Sequence, residues 1–505
     1  MNARLAACTT LIAFAALGGT HMDITDALQN QIDVAYRSGG GTVSVPVAFM
    51  VKNVNIVAEN VRTTNVDALS MEKGDLSYDD VPESPSWQLE SAEQRAKWGL
   101  PSLREIGKFD FNGAIERCAS TGGGVVTVPS GHHVSNGPIV LKSNVELHLA
   151  EGAVVEFSDR LEDYLPGVPV SWEGNECVNV SPLVYAFGCT NVAITGKGVF
   201  KPRLGFWRTW YGPRDAEMNA AVNKLKNEWA ENDVPIAKRQ LWNLPGAKFR
   251  PQLLHFNRCR GVRLEGFAAK GTPFWTVHFF LCEDVVARDL DIDAYDDEGN
   301  WIGNSDGIDL ECTRNALVER CTFHQHDDAI VIKSGKDRDG RRLATPTENV
   351  VVRDCTVRGG PTFVAIGSEL SGGIRNVTIE NCRVTEEIGQ LVHVKTNPRR
   401  GGFVDGLTVR GIEAGRVRES MVVVDALYFY GCPGEERLAN ELATKIGNLT
   451  FRDIRASEAG RRLKLVGDPS RPVEGMTVEN VIAEKCAEPD ICRNVSYVTS
   501  ENNTL

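Results

Sequence analysis

Asn376-Val377-Thr378-Ile379-Glu380-Asn381-Cys382 opens on a turn-forming residue and then alternates apolar with polar side chains, the period of a β-strand with one buried face. Phrases of this kind, opening on Asn, Asp or Gly, begin at Asn144, Asn191, Gly261, Asp284, Asn315, Asn349, Asn376, Gly406, Asn448 and Gly475. From Gly261 onward they are spaced by 23, 31, 34, 27, 30, 42 and 27 residues, and helical periodicity is nearly absent over that stretch. One such phrase per coil, with irregular insertions, fits a parallel β-helix better than a sandwich. Each coil of such a solenoid buries its inward row only against its neighbours, so the stack forms one all-β domain. Two insertions interrupt the spacing, Trp207 to Lys248 and Tyr428 to Lys445, and are expected to leave as loops or short helices. The first, rich in Trp, Arg, Asn and Ala, is a candidate wall of a binding cleft.

Upstream of the repeats, Asn112 to Ala119 reads as a helix that caps the solenoid, followed by a Gly122-Gly123-Gly124 turn and a strand ending at Pro129. Ala27 to Pro46, with Gly39-Gly40-Gly41, is a similar phrase 83 residues earlier and suggests a partial duplication of the cap. Met71 to Arg104 is polar, acidic and low in β-branched residues, the composition of a linker or surface excursion. These features divide the chain into 1–20, 21–104 (extension, partial cap and linker) and 105–505 (β-helix). The first segment has the pattern of a secretory leader: Arg4, an apolar run from Leu5 to Leu17, and a small-residue exit at Ala16, Gly18 and Gly19. The expected location is secreted or periplasmic, and Cys8 would be lost with the leader.

The 505 residues are 42% apolar and 24% charged, and no run of about 18 apolar residues offers a membrane span. Cys321, Cys355 and Cys382 occupy one position of the repeated phrase and read as small fillers of a stacked core. Cys486 and Cys492 are the candidate disulfide pair. No Cys/His cluster has zinc-ligand spacing, and no interleaving of aromatic and basic residues suggests nucleic acid. A monomer is expected.

Within the repeats stand Asn304-Ser305-Asp306-Gly307 and Asp327-Asp328, the latter followed by Ile330-Val331-Ile332-Lys333-Ser334-Gly335. An Asp-Asp pair alone reads as a solvated turn. Here Asp306 and Asp328 take matching places just before two successive strands, 22 residues apart, so stacking should bring their backbones within about 5 Å. Asp327 sits at the adjacent bend. A carboxyl beside other carboxylates keeps its proton to higher pH, which suits acid/base cleavage of a glycosidic bond. The strand period sets Ile308, Leu310, Ile330, Ile332, Val364, Ile366, Val392 and Val394 inward. Asp309, Val331, Lys333, His393 and Lys395 then point outward, with Lys333, His393 and Lys395 on one exposed face.

These aspartate phrases resemble those of glycoside hydrolase family 28, the polygalacturonases and their relatives. The resemblance runs from about Phe111 to the last coils. It includes Gly122-Gly123-Gly124-Val125-Val126-Thr127-Val128-Pro129, Leu141-Lys142-Ser143-Asn144-Val145-Glu146-Leu147-His148-Leu149, Pro273-Phe274-Trp275-Thr276-Val277-His278 and Ile366-Gly367-Ser368-Glu369-Leu370-Ser371-Gly372-Gly373. It implies a single-stranded right-handed parallel β-helix of the pectin-lyase-like kind, and an inverting hydrolase of pectic polysaccharide with no metal and no cofactor. Carried over by position, Asp327 is the general acid, while Asp306 and Asp328 hold and deprotonate the attacking water. Inversion ordinarily separates acid and base by about 6.5 to 9.5 Å. Lys395 is similar to the family lysine that pairs with the sugar carboxylate. Lys333, His393, His326 and Asn304 complete the candidate substrate-binding set.

Two positions depart from the family pattern. Gly360-Pro361-Thr362 stands where Gly-His-Gly is usual, and His393-Val394-Lys395 where Arg-Ile-Lys is usual. Losing the arginine fork removes a bidentate carboxylate contact that histidine does not reproduce, with His326 or His393 as candidate compensation. A rhamnogalacturonan or modified galacturonan therefore stays among the candidate substrates. The net charge of −12 is screened within about 8 to 10 Å, so local charge decides. Lys333, Lys336, Arg338, Arg341, Arg342, Lys395, Arg399 and Arg400 gather after the aspartate strands as a prospective landing for an acidic sugar. The Trp207 to Lys248 insertion and Ile366-Gly367-Ser368-Glu369 favour a blocked, exo-type cleft. A calcium-dependent β-helix lyase, a non-catalytic carbohydrate-binding solenoid and a non-pectic glycosidase are the alternatives.

Overall fold

All ten phrase-opening residues adopt a left-handed backbone, with φ between +53° at Asn191 and Asn376 and +77° at Gly406. Only Gly, and to a lesser cost Asn or Asp, takes that conformation readily, which is why the phrases open as they do. The side chains then stack: Asn315 Nδ2 donates to Asp284 (2.9 Å), Asn349 to Asn315 (3.0 Å) and Asn376 to Asn349 (2.7 Å). A second left-handed corner follows five residues after each of the later openings, at Asp289, Arg320, Asp354, Asn381, Gly411, Asp453 and Asn480. One strand of each coil runs between these two corners. Asn349→Ala should lower unfolding free energy by about 2 kcal/mol, combining left-handed strain with lost ladder bonds, and Asn349→Gly by less than half as much. Equal losses in urea titrations of the two variants would remove the backbone half of this account.

The computed structural model describes residues 109–499 apart from 433–434 and 438–439, together with the strands Gly41–Ser44 and Val61–Thr64. Those two strands pair in parallel, the first inside the proposed cap duplication. The leader and the linker from Met71 to Arg104 lie outside the described residues. Helix α1 (Phe111–Ser120) covers the first coil, with Asp110 as its N-cap accepting from Gly113 N–H at 2.9 Å. Its apolar face, Phe111, Ala114, Ile115 and Cys118, joins the core of the solenoid.

The chain then winds as a right-handed parallel β-helix. The face that carries the site is a parallel stack of β1 (Val184–Phe187), β2 (Leu254–Asn257), β3 (Val277–Phe280), β4 (Ile308–Glu311), β5 (Ile330–Lys333), β6 (Gly360–Gly367), β7 (Ile388–Lys395) and β8 (Phe403–Asp425). The eight side chains assigned inward all lie in the main core. Cys321, Cys355 and Cys382 form a buried ladder, with Cys355 N–H 3.4 Å from Cys382 Sγ. Cys486 and Cys492 are not joined. Both are free and exposed, Cys486 Sγ turning to the Glu488 carbonyl and Cys492 Sγ to the Tyr497 hydroxyl.

The first insertion is largely helical. Asp215 caps α2 (Ala216–Asn223), accepting from Met218 N–H at 2.8 Å. The insertion packs on an antiparallel hairpin, Val168–Trp172 with Asn175–Asn179. Trp172, Phe249, Phe274 and Trp275 form an aromatic layer between this assembly and the outer face of the solenoid. The face expected to be exposed is instead largely roofed: Lys333 is 5% exposed, beneath Trp275, and His393 7% exposed, against Tyr428, while Lys395 is partly buried. Among the described residues no helix is long and apolar enough to cross a membrane.

Candidate active site

Strands β4 and β5 pair from Ile308 with Ile330 to Glu311 with Lys333. The same register continues upstream: Gly307 N–H donates to the Asp328 carbonyl (3.0 Å) and Thr276 N–H to that of Asp306 (2.8 Å). Asp306 and Asp328 are thus stacked on neighbouring coils, and Asp327 adjoins them at the bend. One carboxylate oxygen from each of the three lies within 4.8 Å of the others. This is closer than the 6.5 to 9.5 Å expected of an inverting pair. The cause is the fold itself, since two acids one strand spacing apart and a third next in sequence converge on one point.

The three carboxyls differ in environment. Burial pushes Asp328 upward, but Lys395 Nζ at 2.6 Å, with Lys333 and the Thr362 hydroxyl, overcomes it and holds the carboxyl below its usual range. Burial and the neighbouring Asp328 charge raise Asp327. Burial, with Asp327 and Asp309, raises Asp306 strongly, and its Oδ1 has no hydrogen-bond partner among the described residues. The three neighbours are thus pushed apart in proton affinity, Asp328 downward and Asp327 and Asp306 upward. Asp327, half-buried, is the more accessible of these two; Asp306 is 4% exposed.

Lys333 stands beneath them, 3.1 Å from Glu369, 3.6 Å from Asp309 and 3.9 Å from Asp306, with its ammonium 4.3 Å from the centre of the Trp275 ring. Burial disfavours its charge, but the surrounding carboxylates prevail and it stays a cation. In this structure it serves as an internal counter-ion to these carboxylates. Lys395 is likewise engaged by Asp328, with Tyr428 5.7 Å from its ammonium.

His393 packs edge-on to Tyr428, and burial and Lys395 lower its pKa to about 4. It is neutral at physiological pH and does not replace an arginine. Burial also lowers His326, which stacks on Trp301 with an interplanar angle of 11°. Asn304, at φ +57°, accepts from Arg250 Nη2 at 2.9 Å.

Most of the prospective basic landing is engaged in ion pairs within the protein. Lys336 meets Glu435, Arg338 meets Asp233, and Arg342 meets Glu176 and Asp339. Arg399 and Arg400 share Asp337 and Glu435, while Arg341 donates to the carbonyls of Arg399 and Arg400. Glu176, Asp233 and Glu435 escaped sequence reasoning because distant segments contribute them, whereas Asp337 and Asp339 stand among the basic residues and were overlooked there. Sequence reasoning also missed Thr362 and Trp275, although both lie in phrases singled out above.

Convergent acids on the roofed face of a parallel β-helix are accompanied by family and structural likenesses that make this chain a glycoside hydrolase. The family model for glycosyl hydrolases family 28 matches residues 237–502, just over half of the chain, and the chain belongs to that family. A probable polygalacturonase of Vitis vinifera is 24% identical over 398 residues, covering 76% of this chain and 73% of its own. The exo-poly-alpha-D-galacturonosidase of Dickeya chrysanthemi is 22% identical over 383 residues, covering 71% of this chain and 61% of its own. The crystal structure of a hyperthermoactive exopolygalacturonase from Thermotoga maritima superposes with a TM-score of 0.69 at 32% identity, covering 77% of this chain and 86% of that one.

Proposed function

We propose that the protein is an exo-acting hydrolase of galacturonan that works by single displacement with inversion. The observation that carries this is the convergence of three carboxyls in unequal surroundings. Burial and Asp328 raise Asp327, which suits it to give a proton to the leaving oxygen, and Lys395 lowers Asp328, which suits it to take one from water. Oxygens of Asp306 and Asp328 no more than 4.8 Å apart can be bridged by one water hydrogen-bonded to both at about 2.8 Å. That water would also satisfy the otherwise unpartnered Asp306 Oδ1. The short separation taken alone favours double displacement. Such a mechanism needs a carboxylate free to bond carbon, whereas the ionised one is tied to Lys395 and Thr362. Exo action is supported by the insertion walling the cleft beside Asn304 and by the likeness to exopolygalacturonases. The chain is proposed to act as a monomer, since one chain supplies every site residue, and to be exported by its leader.

The test is a reducing-sugar assay over polygalacturonate, rhamnogalacturonan and neutral glycans, with proton NMR of the first-formed anomer. Polygalacturonate should be the best substrate, releasing short products with inverted configuration while viscosity falls slowly. Retained configuration would overturn single displacement, and a rhamnogalacturonan preference would overturn the substrate. Three convergent carboxyls could also hold calcium, as a lyase would require. Lys395 Nζ, already 2.6 Å from Asp328, supplies the counter-charge instead, so activity should survive EDTA unchanged. Loss on chelation, with an unsaturated product detected by its ultraviolet absorbance, would favour the lyase.

A further inference from the structure

With the cations around the aspartates committed to internal pairs, an acidic sugar needs positive charge from elsewhere. A cavity of about 240 Å³ opens beside Asn304, two residues before Asp306. The hairpin contributes Trp172 and Glu173 to its walls, the insertion Tyr211 and Arg214, and the approach to β2 contributes Arg250. Arg250 is 7% exposed and donates to the carbonyls of Pro273 (2.7 Å) and Gly303 (2.6 Å) and to Asn304 Oδ1 (2.9 Å). All three acceptors are neutral. Burial lowers its pKa to about 10, which leaves it charged at physiological pH.

Arg214 reaches Glu173 only at 3.5 Å, and Glu173 already receives Lys226 at 2.9 Å. Two cations therefore share that one carboxylate, and the cavity keeps a surplus of positive charge. Tyr211, 43% exposed, lies against Gly303 so closely that a Cβ there would collide with its ring. An accessible aromatic face thus stands next to the loop that leads into Asp306.

We propose that this cavity is the specificity pocket for the terminal sugar of the chain, with the sugar carboxylate held between Arg214 and Arg250 and the ring lying against Tyr211. The pocket takes over the carboxylate contact that His393, buried under its roof, does not make. Charge-assisted bonds from guanidinium to carboxylate are among the stronger polar contacts, and Trp172, Trp210 and Tyr211 give this mostly polar cavity aromatic faces for a sugar ring. The proposal rests on the galacturonan reading and extends it to named residues outside the aspartate cluster.

The test compares wild type, Arg214→Ala and Arg214→Lys on trigalacturonate and on the same trisaccharide with its terminal carboxyl reduced to an alcohol. Arg214→Ala should raise KM for trigalacturonate about tenfold or more with kcat within about twofold. Arg214→Lys should recover part of that loss. On the reduced substrate wild type should itself show the raised KM, with no further change in Arg214→Ala. Equal losses on both substrates, or no loss on either, overturn the pocket. Should wild type cleave neither, calorimetry of galacturonic acid on Asp327→Asn, with and without Arg214→Ala, separates the two ideas. Binding that depends on Arg214 keeps the pocket while the hydrolase reading falls; binding that is absent or independent of Arg214 overturns the pocket too.

Discussion

Asp327→Asn should lower kcat on polygalacturonate by about three to four orders of magnitude, the scale of a lost general acid, with KM changed by less than about threefold. Asparagine matches the neutral carboxyl in size and cannot give the leaving oxygen a proton. The variant should also be no less stable than wild type. Burial and Asp328 raise the Asp327 pKa in the folded chain, so ionisation of Asp327 opposes folding once pH exceeds the unfolded value near 3.9. Removing the acid should therefore raise Tm more at pH 8 than at pH 4. Turnover equal to wild type would end the acid assignment. A Tm difference largest at low pH would instead mean that Asp327 is stabilised as a carboxylate, which would suit a base.

The repeat made the fold legible because the solenoid corners constrain backbone conformation, and Asn, Asp and Gly write that constraint directly into the sequence. Asn376 and Asn381 mark the two corners of one coil. Spacing likewise foretold that Asp306 and Asp328 would stack, since parallel register follows from coil length. What spacing could not convey is the partner of each charge. Lys333 looked like a substrate contact because strand period points it outward; Glu369, Asp309 and the roof of Trp275 turn it into a buried counter-ion. Arg338 and Asp233, 105 residues apart, meet only because an insertion folds back across the cleft. Such pairings depend on loop conformation, and loops carry no period.

The roof also separates two tasks that a sequence pattern merges. Unequal proton affinities among the aspartates need a setting shielded from water, to which burial of Asp306 and Asp328 and the Trp275 ring over Lys333 contribute. Recognition of an acidic sugar needs positive charge that no protein carboxylate already neutralises. Lys395 belongs to the first task, because its 2.6 Å bond goes to Asp328.

Replacing that lysine should therefore damage catalysis through the base. In Lys395→Met, Asp328 keeps its burial and loses the charge that offsets it, so its pKa should rise. A general base works above its own pKa, and the acid limb of the kcat/KM profile should move to higher pH by about one unit or more, with a loss of about a hundredfold at the wild-type optimum. Stability should fall as well, by about 3 to 5 kcal/mol at pH 7, the usual cost of leaving one partner of a buried pair alone. The pH dependence of that loss has a definite sign. Asp328 is lowered in the wild-type fold, so its stabilisation is present above the unfolded carboxyl value near 3.9 and fades as pH falls through the lower folded value. Lys395 is raised, so its own contribution fades only at high pH. The stability gap between wild type and variant should thus be full at pH 7 and shrink below about pH 4. Lys395→Arg, which keeps the charge, should recover most of the stability and move the acid limb back toward wild type. A raised KM with an unmoved acid limb in Lys395→Met would mean that the lysine serves the sugar carboxylate directly and that Asp328 is held ionised by Lys333 and Thr362 alone.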